Sequence, residues 1–208
     1  HYTENVYVNS KFESENIVYD YMKKGLRGKV LRIGILSGRT SDGVFQKNIY
    51  ANAFYGRIKS FVKLDAISKD ILDQKIEFTP IDECAKAIVL LAKTSEYDNK
   101  IFHLYNHNLI PLKNVVKVLN EYNYNIKILS EEAFRNRILE YSKNMNDNIS
   151  AIVNDFNTTN LSLDYNFSVN IKSDFSQRIL SQLGFNWRNI DNAYLRTIIT
   201  YMRDIKFI

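Results

Sequence analysis

The sequence predicts an α/β fold whose second half is mostly helical. Up to about residue 110, short apolar runs rich in β-branched residues alternate with segments of helical periodicity, as in a parallel sheet with crossover helices. Beyond that point the apolar residues recur mainly at helical spacing. The strands are too few for a complete parallel sheet, and the chain begins at His1 rather than Met. We therefore expect it to be the later part of a longer protein.

Each predicted element rests on apolar spacing and on the residues that end the run. A helix over 6–24 carries an apolar stripe and ends at Gly25, and the β-branched run 29–36 indicates a buried strand. The remaining predicted strands cover 76–79, 100–105 and 126–129, and the remaining predicted helices with two defined ends cover 48–64, 81–93, 111–122 and 193–202. Of two further predicted helices, one begins at Ser130 and the other ends at Gly184.

Composition excludes several classes of protein. Over 208 residues, 45% are hydrophobic and 25% charged, which excludes a disordered tail and a collagen-like fibre. The single cysteine, Cys84, excludes a disulfide scaffold and favours a reducing compartment such as the cytoplasm. No apolar run approaches the ~20 residues that span a membrane. His103 and His107 with that one cysteine form no zinc-binding pattern, so no metal is expected.

The charge pattern bears on partners. The net charge is +5, but the basic residues are scattered and the longest run is Lys23-Lys24. Nucleic-acid binders usually concentrate lysine and arginine on one stripe, so we expect no nucleic-acid partner. A mildly basic surface also suits an acidic protein partner.

One pair of residues points to chemistry. Tyr7 and Lys11, in YVNSK, lie four residues apart on the first predicted helix and project from the same face. A phenol, with a pKa of about 10, is a weak acid at neutral pH, and a neighbouring ammonium favours its anion. Such a pair can protonate a carbonyl oxygen while hydride reaches the carbon. The lysine can also reach the ribose of a nicotinamide cofactor.

Spacing alone does not identify this pair, because Tyr19/Lys23 and Tyr55/Lys59 have the same spacing. Chance gives roughly one such pair in a chain of this composition. The first pair alone continues as SKFESE, follows one helix to a glycine and leads directly into LRIGILSG. We interpret the other two as surface pairs.

With these motifs the chain resembles the extended short-chain dehydrogenase/reductase superfamily. The stretches YVNSKFESENIVYDYMKKGL and VLRIGILSGRTSDGVF are most similar to the terminal thioester reductase domains of nonribosomal peptide synthetases and carboxylic acid reductases. FTPIDECAKAIVLLA, IFHLYN, IPLKNVVKVLNEY and LGFNWRNIDNAYLRTIITYM extend the resemblance in order along the chain. It implies the C-terminal part of a Rossmann-like fold, with its parallel sheet incomplete, followed by a helical substrate lobe.

The resemblance assigns roles to single residues. It implies that Tyr7 is the proton donor and that Lys11 activates it and binds the cofactor ribose. The backbone expected against the nicotinamide is that of Gly34, Ile35 and Leu36. The side chains expected at the substrate cleft are Arg39, Phe45, Thr79 and Pro80, with ordinary loop anchoring as the open alternative. Ser10 and Glu15 also match the family pattern, and an ion pair with Lys11 or at the surface is the alternative for Glu15.

The resemblance also implies a division of the chain. We expect residues 1–36 to hold the last part of the Rossmann core with the catalytic helix, and 37–79 to form the substrate-cleft loop and helix. Residues 80–107 would return to the core, and 108–208 would form a mostly helical lobe that docks the substrate carrier. The family's glycine-rich phosphate turn and its catalytic Ser/Thr are expected upstream of this chain. The fragment by itself is therefore expected to be inactive.

The implied function is NADPH-dependent reductive release of an acyl or peptidyl thioester as an aldehyde, with reduction to the alcohol as an open second step. The implied partners are a phosphopantetheinylated peptidyl carrier domain and the missing N-terminal half, and most of the NADP(H) site would lie outside this chain. Two other classes stay open. One is a free-standing reductase or epimerase acting on a small or nucleotide-linked substrate. The other is a non-catalytic interaction domain.

Overall fold

The computed structural model describes residues 6–144 and 171–208, and it has the predicted mixed α/β fold. The part of the predicted helical lobe over 145–170 lies outside the described residues. The helices are α1 (Val6–Lys23), α2 (Ala53–Leu64), α3 (Ile81–Ala92), α4 (Leu112–Glu121), α5 (Glu131–Asn144), α6 (Asp174–Gln182) and α7 (Asn192–Asp204). The strands are β1 (Val30–Ile33), β2 (Leu36–Ser37), β3 (Ala66–Ser68), β4 (Lys75–Ile76), β5 (Thr79–Pro80), β6 (Ile101–Leu104), β7 (Ile110–Pro111) and β8 (Lys127–Leu129).

The chain forms two compact units. Described residues of the first unit fall in 6–33, 85–104 and 171–186, and those of the second in 34–84, 105–144 and 187–208. None of the described helices is long and apolar enough to cross a bilayer. The division of the chain into 1–36, 37–79, 80–107 and 108–208, with the role given to each segment, stays a prediction.

The first unit is built on a parallel strand pair. Strands β1 and β6 run in register from Val30 opposite Ile101 to Ile33 opposite Leu104. Phe102 is fully buried in β6, and the Phe175 ring of α6 lies 5.4 Å from it, centroid to centroid. Each residue of α1, by contrast, is at least partly exposed.

The second unit holds the main hydrophobic core. Two parallel strand pairs, β2–β5 and β3–β8, and the antiparallel pair β4–β7 contribute to it. Helices α2, α4 and α7 each bury one apolar stripe against it. Side-chain caps begin two of these helices. Asn52 accepts from the Tyr55 amide at 3.1 Å, and Asp191 accepts from the Tyr194 amide at 2.8 Å.

Several predicted elements are divided in the structure. The strand predicted over 29–36 is interrupted after β1, and the strand predicted over 76–79 is split into β4 and β5. The helix predicted from about residue 48 starts as a 3-10 turn, Ile49–Ala51, and α2 begins only after Asn52. Pro111 belongs to β7 and caps α4 from an extended conformation instead of occupying its first turn. Strands β3 and β7 were not predicted.

Gly43 has a left-handed backbone at a crowded turn of the second unit and gives a test of its packing. It has φ +70°, and a Cβ added there would lie 2.4 Å from the Thr197 carbonyl oxygen. Gly184 has a similar φ of +81° with open space around it. We expect Gly184→Ala to lower the free energy of unfolding by about 1 kcal/mol, from the left-handed backbone alone.

We expect Gly43→Ala to cost about 3 kcal/mol, because the steric overlap adds to the same backbone penalty. Denaturant unfolding of both variants measures the difference. Equal losses would show that the contact with Thr197 does not constrain this turn.

Candidate functional site

Tyr7 and Lys11 lie near the start of α1 at the surface of the first unit. The Tyr7 side chain is 69% exposed, and the Lys11 Nζ lies 5.4 Å from the centroid of its ring. The Ser10 hydroxyl donates to the Tyr7 carbonyl at 2.8 Å, within the same turn. The phenol and the ammonium are therefore neighbours on an exposed helix face, where both can reach a ligand.

Glu15 forms the surface ion pair that was one of its two sequence-based alternatives. Its carboxylate accepts from Arg32 of β1, with Nη2–Oε1 at 2.6 Å and Nε–Oε1 at 3.0 Å, rather than pairing with Lys11. The Tyr19 hydroxyl also donates to this carboxylate. The Tyr19/Lys23 pair predicted from spacing is thus replaced by Tyr19–Glu15, while Lys23 pairs with Asp20 at 2.9 Å.

The prediction that Tyr55 and Lys59 form a surface pair is wrong. Tyr55 is fully buried, and its hydroxyl accepts from the Gly38 amide at 2.8 Å. Burial raises the pKa of Tyr55 well above its ordinary value, which keeps the phenol neutral. The Lys59 ammonium lies over the Phe207 ring, 4.6 Å from its centroid. Tyr55 therefore anchors a loop.

A pocket in the second unit brings several predicted residues together. It has a volume of about 400 Å³, within the range of small-ligand sites. Its lining comprises Gly34, Ile35, Leu36, Phe45, Gln46, Asn52, Ala53, Phe54 and Arg57. The expected cofactor-binding backbone and one of the four expected substrate residues thus share one pocket. Its walls are mainly apolar, and Arg57 is the charged residue among them.

Glu77, which the sequence analysis did not single out, holds one wall of this pocket. Its Oε1 accepts from the Ile35 amide at 2.7 Å and from the Thr79 hydroxyl at 2.6 Å. A Cβ added at Gly34 would lie 2.0 Å from the same oxygen, so only glycine fits there. Burial raises the pKa of Glu77, and the two hydrogen bonds oppose that rise without cancelling it.

The other predicted substrate residues do not line the pocket. Arg39 makes a two-pronged ion pair with Asp42 in its own loop, with contacts of 2.6 and 3.1 Å. Thr79 and Pro80 are buried in β5. The Thr79 hydroxyl accepts from the Asn106 amide at 2.9 Å while it donates to Glu77. These side chains shape the loop and the sheet beneath the pocket.

Two further residues considered from the sequence, Cys84 and His103, are at least partly buried. Cys84 is buried, and burial raises the pKa of its thiol to about 11, so it is no thiolate at neutral pH. His103 is partly buried, which together with the Arg32 charge lowers its pKa, and its amide donates to Ser176 at 2.8 Å.

Glu77→Gln should change how stability depends on pH. The folded-state pKa of Glu77 lies above its ordinary 4.5, so its proton stabilises the fold at low pH. That contribution is lost as pH rises from the ordinary value through the raised pKa. Glutamine keeps a carbonyl oxygen for the Ile35 amide and does not ionise.

We therefore expect the difference in unfolding free energy, Glu77→Gln minus wild type, to become more positive as pH rises. Urea unfolding at about pH 4 and about pH 8 measures the two differences. A difference that is constant with pH would contradict the burial of an ionisable carboxyl here.

Comparison with known proteins finds similarity along the whole chain. Residues 1–88 match the family model NAD_binding_4, Male sterility protein. The whole chain is similar to a thiolation-reductase di-domain from an archaeal non-ribosomal peptide synthetase, with a TM-score of 0.85 and 37% identity. That alignment covers 100% of this chain and 42% of the di-domain.

Two matches at lower sequence identity are also reductases. The reductase domain of the aureusimine biosynthetic cluster shares the fold, with a TM-score of 0.78 and 23% identity over 99% of this chain and 52% of that one. The L-2-aminoadipate reductase large subunit of Candida glabrata is 26% identical over 136 residues, which are 64% of this chain and 10% of that protein.

The chain thus spans about half the length of the solved reductase structures and a tenth of the curated relative. Residues 1–88 match the NAD_binding_4 family model, and the full chain is similar in fold to reductase domains of nonribosomal peptide synthetases, so the predicted resemblance is confirmed.

Proposed function

We propose that the protein containing this chain reduces an acyl or peptidyl thioester, carried on the phosphopantetheine arm of a carrier domain, and releases it as an aldehyde with NADPH as reductant. The observation that carries the proposal is the exposed Tyr7 with the Lys11 ammonium 5.4 Å from its ring. Similarity at 37% identity to a di-domain that joins a thiolation domain to a reductase supports a carrier-bound substrate.

The residues present fit part of a nicotinamide cofactor. In the second unit, the pocket beside Gly34 and Ile35 has apolar walls and room for a flat ring. In the first unit, Lys11 is exposed, as a ligand of ribose hydroxyls must be. A bound nicotinamide supplies hydride. The sequence contains no GxGxxG turn, so we assign most of the cofactor site to other parts of the longer protein.

Tyr7 supplies the proton in this proposal. When the thioester carbonyl carbon gains hydride, its oxygen takes the phenolic proton of Tyr7, and Lys11 stabilises the phenolate that remains. The tetrahedral adduct then breaks its carbon–sulfur bond, and the pantetheine thiol leaves as the aldehyde forms. The same groups can serve a second reduction to the alcohol.

The pocket lining indicates which acyl groups suit this site. Leu36, Phe45 and Phe54 offer apolar surface, and the Phe54 ring is fixed edge-on against Phe78 at 5.0 Å. Arg57 adds positive charge to the same lining. We assign the acyl chain to these walls, with Thr79 and Pro80 supporting them from β5 and Arg39 shaping the adjoining loop. A net charge of +5 favours docking of an acidic carrier domain.

Tyr7→Phe tests the proton donor. We expect it to lower kcat by roughly 10²- to 10⁴-fold, because a positioned general acid contributes that much. NADPH oxidation by the full-length protein with a carrier-bound thioester, followed by absorbance, measures the rate. Tyr21→Phe is the matched control, since Tyr21 is also exposed on α1 with a lysine ammonium, that of Lys24, 5.5 Å from its ring.

Retention of the full rate by Tyr7→Phe would remove Tyr7 from the mechanism. Turnover of a ketone or a sugar nucleotide, with none of the thioester, would instead favour a free-standing reductase or epimerase.

Arg57→Glu tests the pocket charge. We expect wild type to reduce a carrier-bound glutamyl chain about tenfold more efficiently than a lysyl chain, and the variant to reverse that preference. kcat/KM for both thioesters measures the preference. Lys63→Glu makes the same charge change on α2 outside the pocket lining and should leave the preference unchanged.

A further inference from the structure

We infer that Glu15 and Arg32 are positioning residues that fix the rotation of α1 and thereby direct Tyr7 and Lys11. This inference rests on the proposed roles of Tyr7 and Lys11. Glu15 follows Lys11 by four residues, as Lys11 follows Tyr7, so the three side chains form one stripe on α1. The stripe ends in an ion pair with strand β1.

Helix α1 has a largely exposed apolar surface in this chain. Its large apolar side chains remain exposed, among them Val6, Ile17 and Tyr21 at 80%, 59% and 58%. Helix orientation usually comes from burial of an apolar face. In the part of the chain that the structure describes, α1 buries no residue completely, and the Glu15–Arg32 pair joins it to β1.

The geometry of the pair is directional. Arg32 presents Nη2 at 2.6 Å and Nε at 3.0 Å from Oε1 of Glu15, with Nε also 3.2 Å from Oε2. A guanidinium and a carboxylate joined by several bonds resist rotation, unlike a single point contact. The Tyr19 hydroxyl donates to the same carboxylate from one turn further along α1. The carboxylate is thus held from both its own helix and the strand.

The environment keeps the pair charged. Burial raises the pKa of Glu15, but the hydrogen bonds from Arg32 and Tyr19 and the Arg32 charge outweigh it and hold that pKa below its ordinary value. Glu15 is 20% exposed and Arg32 47%. The neighbouring titratable group on the packed strand is His103, which is directly opposite Arg32 in the β1–β6 register, and the Arg32 charge contributes to lowering its pKa.

Strand β1 is itself well anchored, which makes it a suitable reference for the helix. Its four residues pair with β6 along their full length. Lys29, just before the strand, bonds Asp98 at 2.7 Å and the Thr94 carbonyl at 2.6 Å. Arg32 therefore fixes the stripe that carries Tyr7 and Lys11 relative to a paired strand.

The test uses Glu15→Gln and Arg32→Lys in the full-length protein with a carrier-bound thioester and NADPH. Glu15→Gln keeps the side-chain shape and removes the charge, while Arg32→Lys keeps the charge and removes the fork. We expect each to lower kcat roughly 10- to 100-fold with KM for the thioester changed less than about threefold, since misaligned catalytic groups reduce turnover at such a scale. Asp20→Asn, which breaks the exposed Asp20–Lys23 pair of the same helix, should leave both constants unchanged.

A second comparison separates positioning from general structural support. In the Tyr7→Phe background, Glu15→Gln should lower the residual rate less than about twofold, because its effect passes through Tyr7. Full kcat in Glu15→Gln, or the same fold-loss with and without Tyr7, would overturn the inference and leave the proposed function intact. Full kcat in Tyr7→Phe would overturn the proposed role of Tyr7 and the inference with it, whereas failure of wild type to reduce the thioester would overturn the proposed function.

Discussion

The buried carboxylate of Glu77 is the contact on which the pocket of the second unit depends. It accepts the Ile35 amide just before β2, which gives this part-buried backbone donor a partner. The Thr79 hydroxyl then links that carboxylate to the Asn106 amide. One acid thus fixes three chain segments, and the close approach of Gly34 is the steric consequence.

Tyr7 and Lys11 lie on an exposed helix, whereas the second unit is held together by an apolar core. The second unit is held by a continuous apolar core in which Tyr55 and Tyr194 use their buried hydroxyls to hold the loop at Gly38. Helix α1 of the first unit carries Tyr7 and Lys11 on an exposed face, and the Glu15–Arg32 pair joins it to β1. The proposed proton donor and the pocket therefore come from separate parts of the sequence.

Local signals explain which parts of the fold were predictable. Helices α1, α3 and α4 follow from apolar spacing and from residues such as Gly25 that stop a helix, all within a few positions. The contact of Glu77 with the Ile35 amide could not be predicted in this way, because the two residues are 42 positions apart. Tyr55 was misassigned for a related reason. A Tyr-Lys spacing does not tell whether the ring faces solvent or the core.

The candidate site shows the same limit. The pairing of Tyr7 with Lys11 and the backbone at Gly34 were accessible from motifs, whereas the partner of Glu15 depends on how α1 meets β1.

The most direct test of the account is the fate of hydride from NADPH deuterated at C4 of the nicotinamide, given to the full-length protein with a carrier-bound thioester. Mass spectrometry should find the released aldehyde deuterated at its carbonyl carbon. An unlabelled product, or release of the free acid, would contradict the proposed reduction.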